Sequence, residues 1–187
     1  MNRTKKAIIE VFWQLLEEKT YNKITVQNIV ERCEVNRNTF YYHFQDIPDL
    51  AEYSIKEWTD LVIRENSNYG SVIDCLVPIV REFVKRKAAF SHIYHSVCGE
   101  TLIRYMDEAS HHIVQSYIEN VIKNTSLSQC DKSILIRYYK STLVGVILDW
   151  ISTGASYDLI EFCQKICQSY EGSGKRAIQN LAVATSC

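Results

Sequence analysis

Glycine and proline are scarce in this chain, six and two among 187 residues. Few positions therefore interrupt a helix, and no segment sustains the alternation of a half-buried strand, so the sequence reads as all-α. Long apolar runs are also missing. The most apolar stretch near the C-terminal end, TLVGVILDWI at 142–151, is too short to cross a bilayer and carries Asp149. At the N-terminus, MNRTKKAIIEVFWQLLEEK places cations before an apolar run. Glu10, Gln14 and Glu17 interrupt that run and no small-residue cleavage site follows, which argues against a signal peptide. The expectation is a soluble, cytoplasmic protein without a membrane partner.

No sign of charge dominates either. Lys and Arg total 21 against 22 Asp and Glu, a net charge of −1, so any nucleic-acid surface has to be a local patch. Residues 1–44 carry seven cations (Arg3, Lys5, Lys6, Lys19, Lys23, Arg32, Arg37) against five anions (Glu10, Glu17, Glu18, Glu31, Glu34), a weak positive tilt. The seven cysteines, at 33, 75, 98, 130, 163, 167 and 187, include no C-x-x-C pair and read as reduced, mostly buried thiols. Cys163 and Cys167, four apart on one expected helix, leave a thiol sensor as the alternative to packing. His92, His95, His111 and His112 are the candidate metal ligands. No cysteine or carboxylate stands at ligand spacing from them, so no metal and no cofactor is expected. The absence of a Ser/His/Asp order, a Gly-rich phosphate loop or paired carboxylates argues against an enzyme.

What is present is helical periodicity, with 47% apolar residues to build a core. Ile8, Ile9, Phe12, Leu15 and Leu16 form a stripe that gives a first helix over 3–19. Thr25 is an N-cap candidate for a short second helix carrying Val26, Ile29, Val30 and Cys33. Asn36 is the cap candidate for a third helix, with Phe40 and Phe44 at i and i+4. Asp46 can cap a fourth, with Pro48 in its first turn, running to about Asn66. Further helices are expected over 71–86, 88–97, 100–124, 129–153 and 156–171, with breaks near Asn68-Tyr69-Gly70, Gly99, Asn124-Thr125-Ser126 and Gly154. The tail after 172 starts with Gly-Ser-Gly and reads as flexible.

Helices of these lengths, with a three-residue break before the third, are the arrangement of a helix-turn-helix. The angles of the third helix sharpen the reading. At about 100° per residue, Phe40 and Phe44 facing the core leave Asn38 and Tyr42 pointing nearly opposite. Thr39 and Tyr41 then lie on the flanks, and Arg37 reaches out from the first turn. A solvated helix face would more often carry Glu and Lys. Amide, guanidinium and hydroxyl groups suit a duplex: Asn pairs with adenine, Arg with guanine, a Thr methyl with thymine, and Tyr hydroxyls with phosphates. The plain alternative is an amphipathic helix whose tyrosines pack on the next helix.

From Thr25 to Leu50, TVQNIVERCEVNRNTFYYHFQDIPDL resembles the DNA-binding signature of TetR-family transcriptional regulators. Thr25, Val26, Ile29, Val35, Thr39, Phe40, Tyr41, His43, Phe44 and Leu50 fall on matching positions without a gap. The resemblance implies that Thr25 and Gln27 contact phosphate at the start of the second helix. It implies that Arg37, Asn38, Thr39 and Tyr42 face base edges beside the cap residue Asn36, with Tyr41 and His43 on the backbone. Two positions depart from the signature. Glu34 stands where the family has its turn glycine, which asks for a positive φ at a cost of about 1–2 kcal/mol. Ile47 stands where the family usually has a lysine, which removes one phosphate contact.

The resemblance further implies a helix-turn-helix domain at 1–46, a helical effector-binding and dimerisation domain at 47–172, and a flexible tail at 173–187. A small-molecule effector would lie among aromatic walls, with Trp58, Tyr94, Tyr105, Tyr117, Tyr138 and Tyr139 as candidates. STLVGVILDWISTG at 141–154 is apolar nearly all round, with Gly145 admitting a close helix, and such helices are buried. Ile160, Cys163, Ile166, Cys167 and Tyr170 give the last helix an apolar face. A two-fold four-helix dimer interface is expected there, through Val144, Gly145, Leu148, Ile160, Cys163, Ile166 and Cys167. The function implied is a homodimeric repressor that binds a palindromic operator on double-stranded DNA and is released by a small molecule. A helical adaptor acting through a protein partner is the alternative.

Overall fold

The computed structural model describes residues 3–65, 72–121, 127–170, 172–173, 176–177 and 180. Among them are nine α-helices and no strand: α1 (Arg3–Glu18), α2 (Val26–Cys33), α3 (Arg37–His43), α4 (Ile47–Glu65), α5 (Val72–Lys85), α6 (Lys87–Tyr94), α7 (Gly99–Val121), α8 (Gln129–Ser152) and α9 (Leu159–Ser169). The fold is all-α, as the scarcity of breakers predicts. The expected breaks at 68–70 and 124–126, and nearly all of the tail, lie outside the described residues.

The chain divides into two compact units, Met1–Asp60 with Lys85–Tyr105, and Leu61–Val84 with Met106–Cys187. In the first, α1 buries Ile8, Ile9, Phe12, Trp13, Leu15 and Leu16. The same unit buries Ile29 and Val30 of α2, Phe40 and Phe44 around α3, Leu50, Ile55 and Trp58 of α4, and Phe90 and Ile93 of α6, with α2 and α6 packed directly on α1. The packing of α6 on α1 is specific. Phe90 meets Trp13 edge-on at 5.6 Å and Trp58 at 4.7 Å, and the His92 ring Nδ1 lies 2.7 Å from the Leu16 carbonyl oxygen at the end of α1. That carbonyl belongs to the last turn of α1, which leaves its oxygens without helical partners.

The helix α6 stops three residues earlier than its periodicity predicts. The Ser96 hydroxyl donates to the Ile93 carbonyl at 2.6 Å and accepts from the Cys98 amide at 3.1 Å, folding the chain into a turn. That turn brings Gly99 so close to α6 that a Cβ there would stand 2.5 Å from the Tyr94 carbonyl oxygen. Only glycine fits. The start of α9 also comes later than expected, at Leu159, because Asp158 caps it and accepts from the Glu161 amide at 2.9 Å.

In the second unit, Val114 and Ile118 of α7, Leu127 just before α8 and Leu135 within it form a buried cluster, with Tyr117, Ile136 and Tyr139 against it. The Lys140 ammonium meets Asp107 across α7 and α8 at 2.7 Å. The corner between α8 and α9 turns through two left-handed residues, Gly154 and Ala155. It is held by the Trp150 indole N–H donating to the Tyr157 carbonyl at 3.0 Å and the Tyr157 hydroxyl donating to Asp149 at 3.1 Å.

Candidate nucleic-acid interface

The turn between α2 and α3 is set by the backbone. Glu34 has φ 54° and ψ 39°, the left-handed conformation that its place after α2 requires. Its amide donates to the Glu31 carbonyl at 3.3 Å and the Val35 amide to the Val30 carbonyl at 3.0 Å, a glycine-type helix stop made with glutamate. Thr25 opens α2 with a reciprocal cap: its hydroxyl oxygen accepts from the Asn28 amide, and the Asn28 side-chain oxygen accepts from the Thr25 amide, both at 3.2 Å. Asn28 also accepts from Lys19 at 2.8 Å, tying α2 to the end of α1.

Asn36 opens α3. Its Oδ1 accepts from the Thr39 amide at 2.8 Å and from the Thr39 hydroxyl at 3.0 Å. The oxygens of Asn36 and Thr39 thus fasten the first turn of the helix, and what Thr39 can still offer a groove is its methyl and its oxygen lone pairs. Phe40 and Phe44 are buried, while Tyr42 is 81% and Tyr41 54% exposed. Asn38 and Arg37 are exposed as well. The angular expectation therefore holds, and the alternative in which both tyrosines pack on the next helix does not. His43 is half-buried, edge-on to Tyr42 at 4.9 Å and beside Phe44 at 6.5 Å. Gln27, exposed on α2, faces Arg37 of α3 with its amide oxygen.

Charge on this face is more committed than the sequence count suggests. Arg32 grips Glu18 with two hydrogen bonds, at 2.7 and 2.8 Å, and its guanidinium holds the Glu18 carboxyl below the usual carboxylate range. The Lys5 ammonium lies over the Tyr53 ring at 3.4 Å and the Phe44 ring at 5.0 Å, at the far end of α3. Neither Lys5 nor Glu31, which accepts from the Gln27 amide, was singled out from the sequence. The four-residue spacing of Gln27 and Glu31 on α2 was the available signal.

Residues 8–53, which hold most of α1, all of α2 and α3 and the start of α4, match the family model described as bacterial regulatory proteins, tetR family. Residues 71–172, more than half of the chain, match the model described as a transcriptional regulator C-terminal region of that family. The chain belongs to the TetR family of transcriptional regulators.

Similar proteins agree with this. The HTH-type dhaKLM operon transcriptional activator DhaS of Lactococcus lactis subsp. lactis (strain IL1403) is 21% identical over 165 residues, 83% of each chain. A solved structure of the dihydroxyacetone kinase operon activator DhaS has a TM-score of 0.79 at 20% identity, over 96% of this chain and 98% of that one. The fatty acid degradation regulator FadR from Bacillus halodurans has a TM-score of 0.65 at 15% identity, over 87% and 95%. These structural likenesses concern the fold.

The other residues named from the sequence fall in several places in this TetR-family chain. Of the aromatic candidates for an effector site, Trp58, Tyr94 and Tyr105 belong to the first unit and Tyr117, Tyr138 and Tyr139 to the second. Trp58 is buried against Phe90. The buried Tyr105 ring carries the Arg104 guanidinium at 4.4 Å, and its hydroxyl donates to Glu52 at 3.3 Å. Both rings are buried in the first unit. Tyr94 is half-buried, edge-on to His95 at 5.0 Å. Tyr138 is 64% exposed and lines an open groove of about 710 Å³ with Cys130, Ile134 and Arg137. Tyr117 and Tyr139 are half-buried against the second unit's core cluster.

On α8 and α9, Val144 and Cys163 are buried, Leu148, Ile160 and Cys167 are half-buried, and Ile166 is 44% exposed. Gly145 is exposed, with nothing within 4 Å of a Cβ placed on it. Burial pushes the Cys163 thiol up to about 11, with Cys167 adding to it, and burial raises Cys167 too. Thiols held protonated are poor nucleophiles, which speaks for packing over redox sensing. His92 and His95 turn their Nδ1 atoms to the Leu16 and Ser91 carbonyls, and His111 and His112 lie in the other unit. No metal-ligating cluster is found among the described residues, nor any helix long and apolar enough to cross a membrane.

Proposed function

We propose that this regulator is a sequence-specific homodimer whose α3 helices read the two halves of a palindromic operator. The observation that carries the reading is the outward face of α3. Asn38 and Tyr42 stand in solvent on a helix whose start is fixed by Asn36 and whose phenyl rings are sunk in the core. Arg37, Asn38, Thr39 and Tyr42 face base edges, while Thr25, Tyr41, His43 and the amides at the start of α3 meet phosphates. The partly exposed Leu148, Ile160, Ile166 and Cys167, with the open Gly145, support a second copy packing on α8 and α9, over the buried Val144 and Cys163. Two-fold pairing sets the reading helices about one DNA turn, ~34–36 Å, apart.

A small-molecule effector belongs to the same reading. Half-buried, hydroxyl-bearing rings at Tyr117 and Tyr139 are the walls we assign to it, and release follows when the ligand favours a dimer whose reading helices are misspaced. Repression needs only that the bound dimer cover a promoter. The likeness to DhaS, named an activator, favours a second reading in which the bound dimer raises transcription.

Sites selected from random DNA by the purified chain are expected to be near-palindromic, with half-sites one turn apart. Recovery of single, unpaired half-sites contradicts the dimeric reading. Deleting the gene raises transcription from the selected promoter under repression and lowers it under activation.

A further inference from the structure

The Arg37 guanidinium is held rather than loose. Its Nε and Nη2 both donate to one atom, the Gln27 Oε1, at 3.1 and 2.8 Å. Gln27 is itself oriented, because its amide nitrogen donates to the Glu31 carboxylate one turn along α2. Chemistry makes this chain unambiguous. A guanidinium only donates and a carboxylate only accepts, so both neighbours demand the same orientation of the amide between them. The side-on edge of Arg37, Nε with Nη2, is thereby occupied. Nη1 and the second Nη2 proton stay uncommitted among the described residues, and together they form the end-on fork of the side chain.

We propose that Gln27, oriented by Glu31, is a positioning residue that presents the Nη1/Nη2 fork of Arg37 to a guanine in the operator. Guanine is the base with two acceptors, O6 and N7, on its major-groove edge, the pattern such a fork matches. A long flexible arginine otherwise loses rotamer entropy on binding and can settle on any phosphate. Holding it beforehand lowers that loss for the base contact and disfavours the phosphate alternatives. Gln27 therefore acts through Arg37 and not as the phosphate contact its position in the signature implies. The inference rests on α3 reading DNA.

The test uses the full chain and its selected operator, with each guanine of a half-site replaced in turn by adenine. The position read by Arg37 is the one whose replacement weakens the parent by about tenfold and no longer matters in Arg37→Ala. Gln27→Met keeps the length of the side chain and removes the acceptor. It is expected to shrink the discrimination at that guanine to about threefold or less, with binding to unrelated DNA unchanged. In the Arg37→Ala background it should add nothing. Gln27→Glu paired with Glu31→Gln keeps an acceptor for Arg37, a donor–acceptor contact along α2 and the net charge, and should retain the discrimination. Equal weakening of every sequence by Gln27→Met, or full additivity with Arg37→Ala, overturns the proposal while leaving α3 as the reading helix. A parent chain with no salt-sensitive binding to any duplex overturns both.

Discussion

Glu34 carries the helix-turn-helix turn in a conformation that suits glycine. A left-handed L-residue is strained by about 1–2 kcal/mol, and glycine's greater freedom in the unfolded chain offsets part of any gain from replacing it. Glu34→Gly is therefore expected to raise stability by about 1 kcal/mol in urea unfolding. It should also tighten DNA binding by removing a carboxylate beside the reading helix. Asn36→Ala should cost about 1 kcal/mol, because it orphans the Thr39 amide at the start of α3. Both side chains could be read from the sequence because their roles are local: a cap and a turn involve neighbours within a few positions. The seat of Lys5 on Tyr53 and the hold of Gln27 on Arg37 join residues from different helices, and no spacing along one helix reveals either.

At the scale of elements, helix existence was legible and helix partnership was not. All nine helices follow from apolar periodicity and caps, and where ends differ a side chain decides, as Ser96 and Asp158 do. That α6 would complete the core against α1 and α4 was not visible, since Phe90 meets Trp13 and Trp58 only once the chain has folded back. Gly99 is what allows the tight turn from α6 into α7. Gly99→Ala pushes a methyl onto the Tyr94 carbonyl and is expected to destabilise by about 1–3 kcal/mol, read by thermal unfolding. The corner of α8 and α9 makes a pH prediction. Burial and the hydrogen bond to Asp149 push Tyr157 up to about 12, and burial pushes Cys163 up to about 11. Groups with raised values stay protonated in the folded chain while the unfolded chain ionises. The stability they contribute is complete at neutral pH and is lost as pH climbs from about 9 through 12. Alkaline titration should show Tyr157→Phe less sensitive than the parent over that range. At pH 8, Cys163 should alkylate far more slowly than the exposed Cys130.

At the scale of the whole molecule, the family was legible from one uninterrupted run, Thr25 to Leu50, because the geometry of a reading helix restricts its sequence so strongly. The rest of the chain offered no transferable motif. An apolar helix face looks the same in sequence whether it meets its own core, a second copy or a ligand. Trp58 and Tyr105 illustrate this: both are buried, and burial is what a core ring and a ligand wall have in common. If α8 and α9 join two copies, Ile166→Glu on the exposed part of that face should convert a dimer to monomers in sedimentation. It should also weaken operator binding far more than it weakens folding.

The most direct measurement is a salt series of binding to the selected operator, comparing the parent with Asn38→Ala/Tyr42→Ala. The account expects parental affinity to fall steeply with salt and the double variant to lose specific binding while keeping the parent's unfolding temperature, since both side chains stand in solvent. A double variant that binds the operator as the parent does would contradict it.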